Sequence, residues 1–333
     1  MKARLKVEAD KLGEAFTFEA FEVALNRKRS GDGSGLVAYL LEISDEFKSM
    51  GSPSTAGQYL NAANALKKQS GKEDIPFKAC NPAFLKRWQA ETDLSPASFS
   101  IYCRAVRAAF NRAIQEKKVN PSLYPFGRGR FTIPAPTANK RALPKDQRQT
   151  ILNYPAETPG EVWARDMFAF SYLSKGMNMK DIFSLRWDQI EGGEFEYIRK
   201  KTKSKGERMR VKITPTLQAI IDRHGNRANK SGRVFDVIPA GLTPLQEMKR
   251  KNNEIKHINN HLTAICQKLG IPRATTQAAR HSVASGMVEA GFNLEDVRGT
   301  MGHSSITTTQ NYIKSLRADL SADVADFLER DML

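Results

Sequence analysis

The sequence predicts a mainly α protein with one small antiparallel β-sheet, divided into two domains. Three observations carry that expectation. Apolar residues recur at helical spacing up to about residue 120, as in Leu36, Tyr39, Leu40, Ile43 and Phe47. A stretch rich in proline, glycine and basic residues then interrupts the pattern. Beyond it the helical runs resume, broken by two segments of alternation, Glu194-Phe195-Glu196-Tyr197-Ile198 and Met209-Arg210-Val211-Lys212-Ile213, which read as two strands.

The first domain is expected over residues 1–125, with 1–34 as a leading segment. That segment can form one short helix around Phe16, Phe18 and Phe21 before Gly31-Asp32-Gly33-Ser34-Gly35 breaks it. A helix follows from Leu36 to Phe47, and Ser52-Pro53 starts a second. A third spans Pro82 to Glu91, and Ser95-Pro96 opens the longest, with Phe99, Tyr102, Val106, Phe110 and Ile114 on one side. Proline just inside a helix, after a serine, is a start signal because its missing N–H would be unpaired there anyway. This last helix also carries Arg104, Arg107 and Arg112, either a solvated face or a face laid along nucleic-acid phosphates.

Residues 126–144 read as a basic linker, with Gly127-Arg128-Gly129-Arg130, Pro134-Ala135-Pro136 and Lys140-Arg141. Residues 145–333 form the second domain. Helices are expected from Lys145 to Tyr154, from Glu161 to Leu173 and from Leu217 to Arg223. The basic run Lys249-Arg250-Lys251 leads into another with Ile255, Ile258, Leu262 and Ile265. His257 and His261 stand four apart, but nothing supplies a third ligand, so surface or packing roles are expected. A last amphipathic helix, Ala318 to Met332, covers its own core or docks on a neighbouring protomer.

Composition bounds the function. Fifty-two Lys and Arg against 36 Asp and Glu give a net charge of +16, which suits a polyanionic partner, nucleic acid above all, or simply a basic soluble enzyme. The three cysteines, Cys80, Cys103 and Cys266, are scattered without metal spacing and read as buried thiols in a reducing cytosol. No apolar run approaches the length of a membrane span and no signal peptide opens the chain. A cytoplasmic, nucleoid-associated protein without a membrane partner is therefore expected.

The chemistry concentrates near the end. Thr275-Thr276-Gln277-Ala278-Ala279-Arg280-His281 is followed by Met301-Gly302-His303-Ser304-Ser305 and by Thr308-Thr309-Gln310-Asn311-Tyr312. Arg280 offers a planar fork for two phosphate oxygens. His303 can donate a hydrogen bond and move protons near neutral pH, and Tyr312 carries a phenol able to form a covalent phosphotyrosine. These three motifs, in order and at this spacing, resemble the C-terminal signature of the tyrosine recombinases, or phage integrases, in the manner of those from Bacteroides phages and mobile elements. The resemblance is strong from about Ala164 onward and architectural before it.

The resemblance implies a helical core-binding (SAM-like) domain followed by an α+β catalytic domain, the two clamping opposite faces of double-stranded DNA at an attachment or recombination site. It implies Tyr312 as nucleophile, Arg280 and His303 as donors to the phosphoryl oxygens, and Lys201, in the Lys-Thr pair of the expected hairpin, as the proton source for the leaving oxygen. Lys201 has lysine neighbours that fit almost as well. A homotetramer on synapsed DNA, monomeric when free, is the implied assembly. The 3′-phosphotyrosyl bond conserves the energy of the phosphodiester, so no cofactor and no metal is expected. Larger integrases add an N-terminal arm-binding domain; only some thirty residues precede the first bundle helix here, so that domain is expected to be missing, naturally or by truncation.

Two positions depart from the family pattern. Gly176, Asp181 and Trp187 align with the first arginine motif, but Asn178 stands where that arginine would be. Gln277 stands three residues before Arg280 in place of a histidine and can donate a hydrogen bond without shuttling a proton. Arg165, twelve to thirteen residues before the vacant position, is a candidate replacement. For His281 a packing role beside Arg280 is expected. The leading function is strand cleavage and rejoining through Tyr312. The alternatives are a catalytically decayed DNA-binding homologue, which Asn178 and Gln277 would favour, and a type IB topoisomerase.

Overall fold

The computed structural model describes residues 17, 35–135, 142–199, 208–226, 232–302 and 306–314, the last segment by backbone alone at Thr308, Asn311, Tyr312 and Lys314. Two units, residues 1–136 and 137–333, each hold their own contacts.

Among the described residues the first unit contains four α-helices: α1 (Leu36–Ser49), α2 (Pro53–Ser70), α3 (Pro82–Glu91) and α4 (Pro96–Gln115). The last is the longest of these four, at 20 residues. Their starts follow from side-chain capping. Asn81 accepts from the Phe84 N–H and Ser95 from the Ser98 N–H, each ahead of a proline at the first helical turn. Helix α1 begins at Gly35, which has no side chain to cap with, and Asp74 supplies the acceptor instead. Its carboxylate takes the N–H groups of Gly35 and Val37 at 2.9 Å and of Ala38 at 3.4 Å.

The expected apolar face of α1 is the buried one, with Leu36, Tyr39, Leu40 and Ile43 no more than 2 % exposed. Small residues on α2 (Ala56, Ala62, Ala63) let it approach closely. Arg112 is not a free phosphate donor: its Nη atoms pair with Glu46 at 2.6 and 2.9 Å and its Nε with Glu116 at 2.7 Å. Arg104 and Arg107 remain exposed.

The expected linker begins inside this unit. Phe126 and Phe131 are buried, at 4 % and 3 % exposure, with edge-on ring contacts to Phe110 and Phe99 respectively. Gly127 and Gly129, both at positive φ, turn the chain between them. Aromatic burial against α4 therefore extends the first unit past residue 125.

The second unit opens with α5 (Lys145–Leu152) and α6 (Pro159–Leu173). Thr158 and Glu161 cap α6 reciprocally, each side chain accepting the other's backbone N–H. A single turn, α7 (Met179–Ile182), leads to a three-stranded antiparallel sheet in the order β1 (Ile190–Glu191), β2 (Glu194–Ile198), β3 (Arg208–Lys212). The short β1 is an addition to the two expected strands. Register sets Phe195 opposite Val211 and Tyr197 opposite Met209 on the buried face. Glu196 and Arg210 pair on the open face at 2.7 Å.

Helices α8 (Pro215–His224) and α9 (Pro244–Lys268) follow, then α10 (Thr276–Glu289), α11 (Leu294–Met301) and α12 (Ile306–Lys314). Helix α9 starts well before the expected point, at a Thr243–Gln246 capping box, so the basic run 249–251 lies within it and Lys251 is buried. The core joins the middle of α6 to the sheet's buried face and to Leu217, Ile221, Ile258 and Leu262. The leading segment, apart from Thr17, and the expected helix Ala318 to Met332 lie outside the described residues.

All three cysteines are buried and free, and burial pushes the Cys80 and Cys103 thiols up. Among the described residues no helix is long and apolar enough to cross a membrane. No group of three or more His, Cys, Asp or Glu among them is placed to hold a metal. His257 is exposed, while the His261 ring packs against the backbone at Gly160, where a Cβ would stand 2.4 Å from it.

Candidate active site

Arg280 is the centre of the site. It lies one turn into α10 and is 6 % exposed. Its Nη1 donates to the Gly176 carbonyl at 2.7 Å and its Nη2 to the Met301 carbonyl. The guanidinium therefore joins the loop after α6 to the C-terminal end of α11, two segments separated by more than a hundred residues. The helix carrying it is held from outside as well. The Asn259 side chain accepts the Thr276 N–H at 2.8 Å, and Ser282 Oγ accepts the Leu143 N–H at 2.9 Å.

The loop at Gly176 has a glycine for two reasons. Its φ is +73°, and a Cβ there would stand 3.0 Å from Arg280 Cγ and 3.1 Å from Arg280 Cα. The preceding Lys175 adopts a left-handed conformation too, φ +57°, with its ammonium on the Arg210 carbonyl at 2.9 Å. Asn178 begins α7 half-buried, without capping it through its side chain. Asp181, on the same turn, is 7 % exposed.

At the other end of Arg280, α11 stops at Gly302 in the left-handed conformation, φ +58°, the usual way to end a helix when the chain must turn sharply. His303 is the next residue and lies outside the described residues, as does Lys201. The chain then enters α12, which contains Tyr312. Thr309 and Ile313 are buried, and Ile313 packs with Ala284 of α10 and with Val297 and Met301 of α11. The helix containing Tyr312 is thus seated, through Ile313, on α10, which carries Arg280, and on α11, which ends just before His303.

The remaining expected residues are dispersed around this centre. Gln277 is exposed on the first turn of α10. His281 is half-buried beside Arg280. Arg165 has its guanidinium on Asp166, with Nε and Nη2 at 3.0 and 2.8 Å from one oxygen, and on the Tyr154 carbonyl at 2.9 Å. Asp166 also receives Arg223 and, at 2.8 Å, His224 Nε2, both from α8. Burial pushes that carboxyl up, but the hydrogen bonds from His224, Arg165 and Arg223 outweigh it and hold it below the usual carboxylate range.

One residue escaped the sequence reading. Arg199 follows β2, is 9 % exposed, and donates through Nη1 to the Met301 carbonyl at 2.8 Å and the Gly302 carbonyl at 2.9 Å. It therefore shares an acceptor with Arg280. The signal was available: strand alternation buries Phe195 and Tyr197, and Arg199 is the next odd position. Tyr197 feels both arginines. Burial and the Asp181 charge push its phenol up to about 12, while Arg280 and Arg199 pull it down.

Two arginines thus meet on the carbonyls that precede His303, next to the helix whose sequence includes Tyr312. The chain belongs to the phage integrase family, whose model matches residues 141–318, and a phage integrase SAM-like domain matches residues 35–133. It is similar to a tyrosine recombinase XerC of Roseiflexus castenholzii, 26 % identical over 182 residues, covering 52 % of this chain and 54 % of that one. A second XerC, from Roseiflexus sp., is 24 % identical over 243 residues, covering 68 % and 75 %. The chain thus spans between about half and three quarters of the length of the curated relatives it matches.

Among solved structures it resembles a Tn1549 transposon integrase in complex with a circular intermediate DNA, with a TM-score of 0.58 at 14 % identity, covering 86 % of this chain and 99 % of that one. A lambda integrase dimer bound to a core site gives 0.59 at 15 %, covering 83 % and 94 %. At these identities the likeness speaks for the fold.

Proposed function

We propose that the protein is a site-specific DNA recombinase that cuts and rejoins strands through a 3′-phosphotyrosyl intermediate on Tyr312. The observation that carries this reading is the bridge made by Arg280, from the Gly176 loop to the residues just before His303. Such a bridge holds a buried cation at the foot of a turn and a helix that bear the other two reactive groups.

In the first step the Tyr312 phenol attacks phosphorus. The P–O5′ bond breaks, the phenolic proton is lost to solvent or a neighbouring base, and Lys201 gives a proton to the departing 5′ oxygen. Arg280 and His303 would bind the non-bridging oxygens, where charge grows in the five-coordinate transition state. Gln277 and Asn178, both neutral donors, would add hydrogen bonds at the positions where charged groups are absent. Arg165 is a candidate for the cation that Asn178 does not supply. Attack by a 5′ hydroxyl from another strand reverses the step and releases Tyr312, so the scheme balances without metal or cofactor.

The substrate would be double-stranded DNA at an attachment or recombination site. The +16 charge and the exposed Arg104 and Arg107 support it. Relatives named as recombinases and structural neighbours bound to DNA support it as well, including a lambda integrase tetramer on a Holliday junction. Assembly as a tetramer on synapsed DNA, and action in the cytoplasm at the nucleoid, belong to the same proposal. A second reading, DNA recognition without chemistry, draws on the neutral side chains of Asn178 and Gln277. A nicked duplex built from the sequences flanking the gene separates the two. A covalent adduct that Tyr312→Phe abolishes, with DNA binding retained, establishes the recombinase. Binding without adduct favours the second.

A further inference from the structure

We infer that Arg199 is a second cation of the scissile-phosphate site and supplies the charge that Asn178 lacks; the inference rests on the recombinase reading above. Arg199 as a residue is 9 % exposed, and its Nε–H is buried with no hydrogen-bond acceptor. A buried donor without a partner is uncommon in folded proteins and points to a ligand that is absent. Its partners among the described residues are carbonyls, those of Met301 and Gly302, and no carboxylate among those residues pairs with it. A buried cation without an ion pair is costly to hold. Here the cost is raised again by Arg280, which donates to the same Met301 carbonyl and so keeps a second positive charge alongside. The negative end of the α11 dipole offsets only part of this. An anion bound between the two guanidinium groups satisfies all of it, and a phosphodiester is the anion this site would meet.

The contrast with Arg165 is chemical. Arg165 spends its guanidinium on the Asp166 carboxylate and the Tyr154 carbonyl, and Asp166 is further committed to Arg223 and His224. Bringing Arg165 to a phosphate would break those bonds. Arg199 has an unused N–H and shares its acceptor with Arg280. Gly302 fits beneath it, since a Cβ there would come within 3.3 Å of Arg199 Cδ.

The test compares adduct formation on two nicked duplexes of the flanking sequence, one natural and one with a neutral methylphosphonate at the scissile position. Arg199→Gln keeps a donor for the Met301 and Gly302 carbonyls and removes the charge, while Arg199→Lys keeps the charge. On the natural duplex Arg199→Gln should form adduct roughly 10²–10³-fold more slowly than wild type, the range for losing one oxyanion donor. On the methylphosphonate, relative to wild type on the same duplex, the loss should shrink to about tenfold or less, because no anionic charge remains to be balanced. Arg199→Lys should recover most of the natural-duplex rate, and it decides the matter alone if the glutamine variant melts early. Wild-type rates for Arg199→Gln, or equal losses on both duplexes, overturn the inference. So does a charge-dependent loss for Arg165→Ala with none for Arg199→Gln. A wild-type chain that forms no adduct on either duplex removes the recombinase reading itself, and this inference with it.

Discussion

Replacing Gly176 by alanine tests the bridge on which the whole site depends. Two costs add. The left-handed backbone at φ +73° costs an alanine about 1–2 kcal/mol. The new Cβ would sit 3.0 Å from Arg280 Cγ and 3.1 Å from its Cα. The Cα belongs to a buried helix and cannot swing aside, so an overpacking cost of about 1–3 kcal/mol follows. The reduced freedom of the unfolded chain returns about 0.4–1 kcal/mol. The net expectation is a loss of about 1–4.5 kcal/mol, read by urea denaturation of the full chain. Gly270→Ala is the control. That residue also has positive φ, +65°, and lies in the same unit, but nothing stands within 4 Å of its would-be Cβ. Its cost should stay near the conformational part, about 1 kcal/mol. Adduct formation should separate the two further. A shift of Arg280 by about 1 Å would slow the Gly176 variant on the order of a hundredfold and leave the Gly270 variant unchanged. Equal destabilisation by both substitutions would refute the claim that Arg280 is pressed against this loop.

Two further perturbations probe the scaffold. Asp74→Ala removes the acceptor that caps α1 across the fold, and should cost about 1–2 kcal/mol. Amide exchange at Gly35, Val37 and Ala38 should accelerate, Asp74→Asn should restore part of the loss, and unchanged exchange would mean the cap is incidental. The second concerns acid. The Lys268 ammonium at 2.7 Å, aided by the Glu157 and Thr158 backbone N–H groups and opposed by burial, holds the Glu161 carboxyl down at about 2. A depressed folded value adds stability above the unfolded pKa of about 4.3, and that stability is lost as pH falls toward 2. Wild type minus Glu161→Gln should therefore show a stability difference that is level at neutral pH and shrinks between about pH 4.5 and 2; a difference independent of pH would refute the pairing.

How much of this was legible in the sequence depends on whether the deciding information is local. Helix starts were legible where a cap and a proline announce them within four residues, as at Asn81-Pro82 and Ser95-Pro96. The same signal stood at Thr243-Pro244 with Gln246, but the basic run inside α9 masked it, since a buried lysine such as Lys251 breaks the apolar pattern. The linker misled for the opposite reason. Its glycines and arginines are what a linker has, whereas the burial of Phe126 and Phe131 depends on rings contributed by α4, which no local period records. The arginines show the limit most sharply. Arg112, Arg165, Arg199 and Arg280 are one residue type with four partner sets: the carboxylates of Glu46 and Glu116, the carboxylate of Asp166 with the Tyr154 carbonyl, and two pairs of main-chain carbonyls. A guanidinium neutralised by a carboxylate stabilises the fold and has little charge to offer a phosphate. One such as Arg199, whose partners among the described residues are carbonyls, keeps its charge. Sequence spacing singled out Arg280 because its motif is fixed along the chain, and it passed over Arg199 because its acceptors, Met301 and Gly302, lie about a hundred residues away.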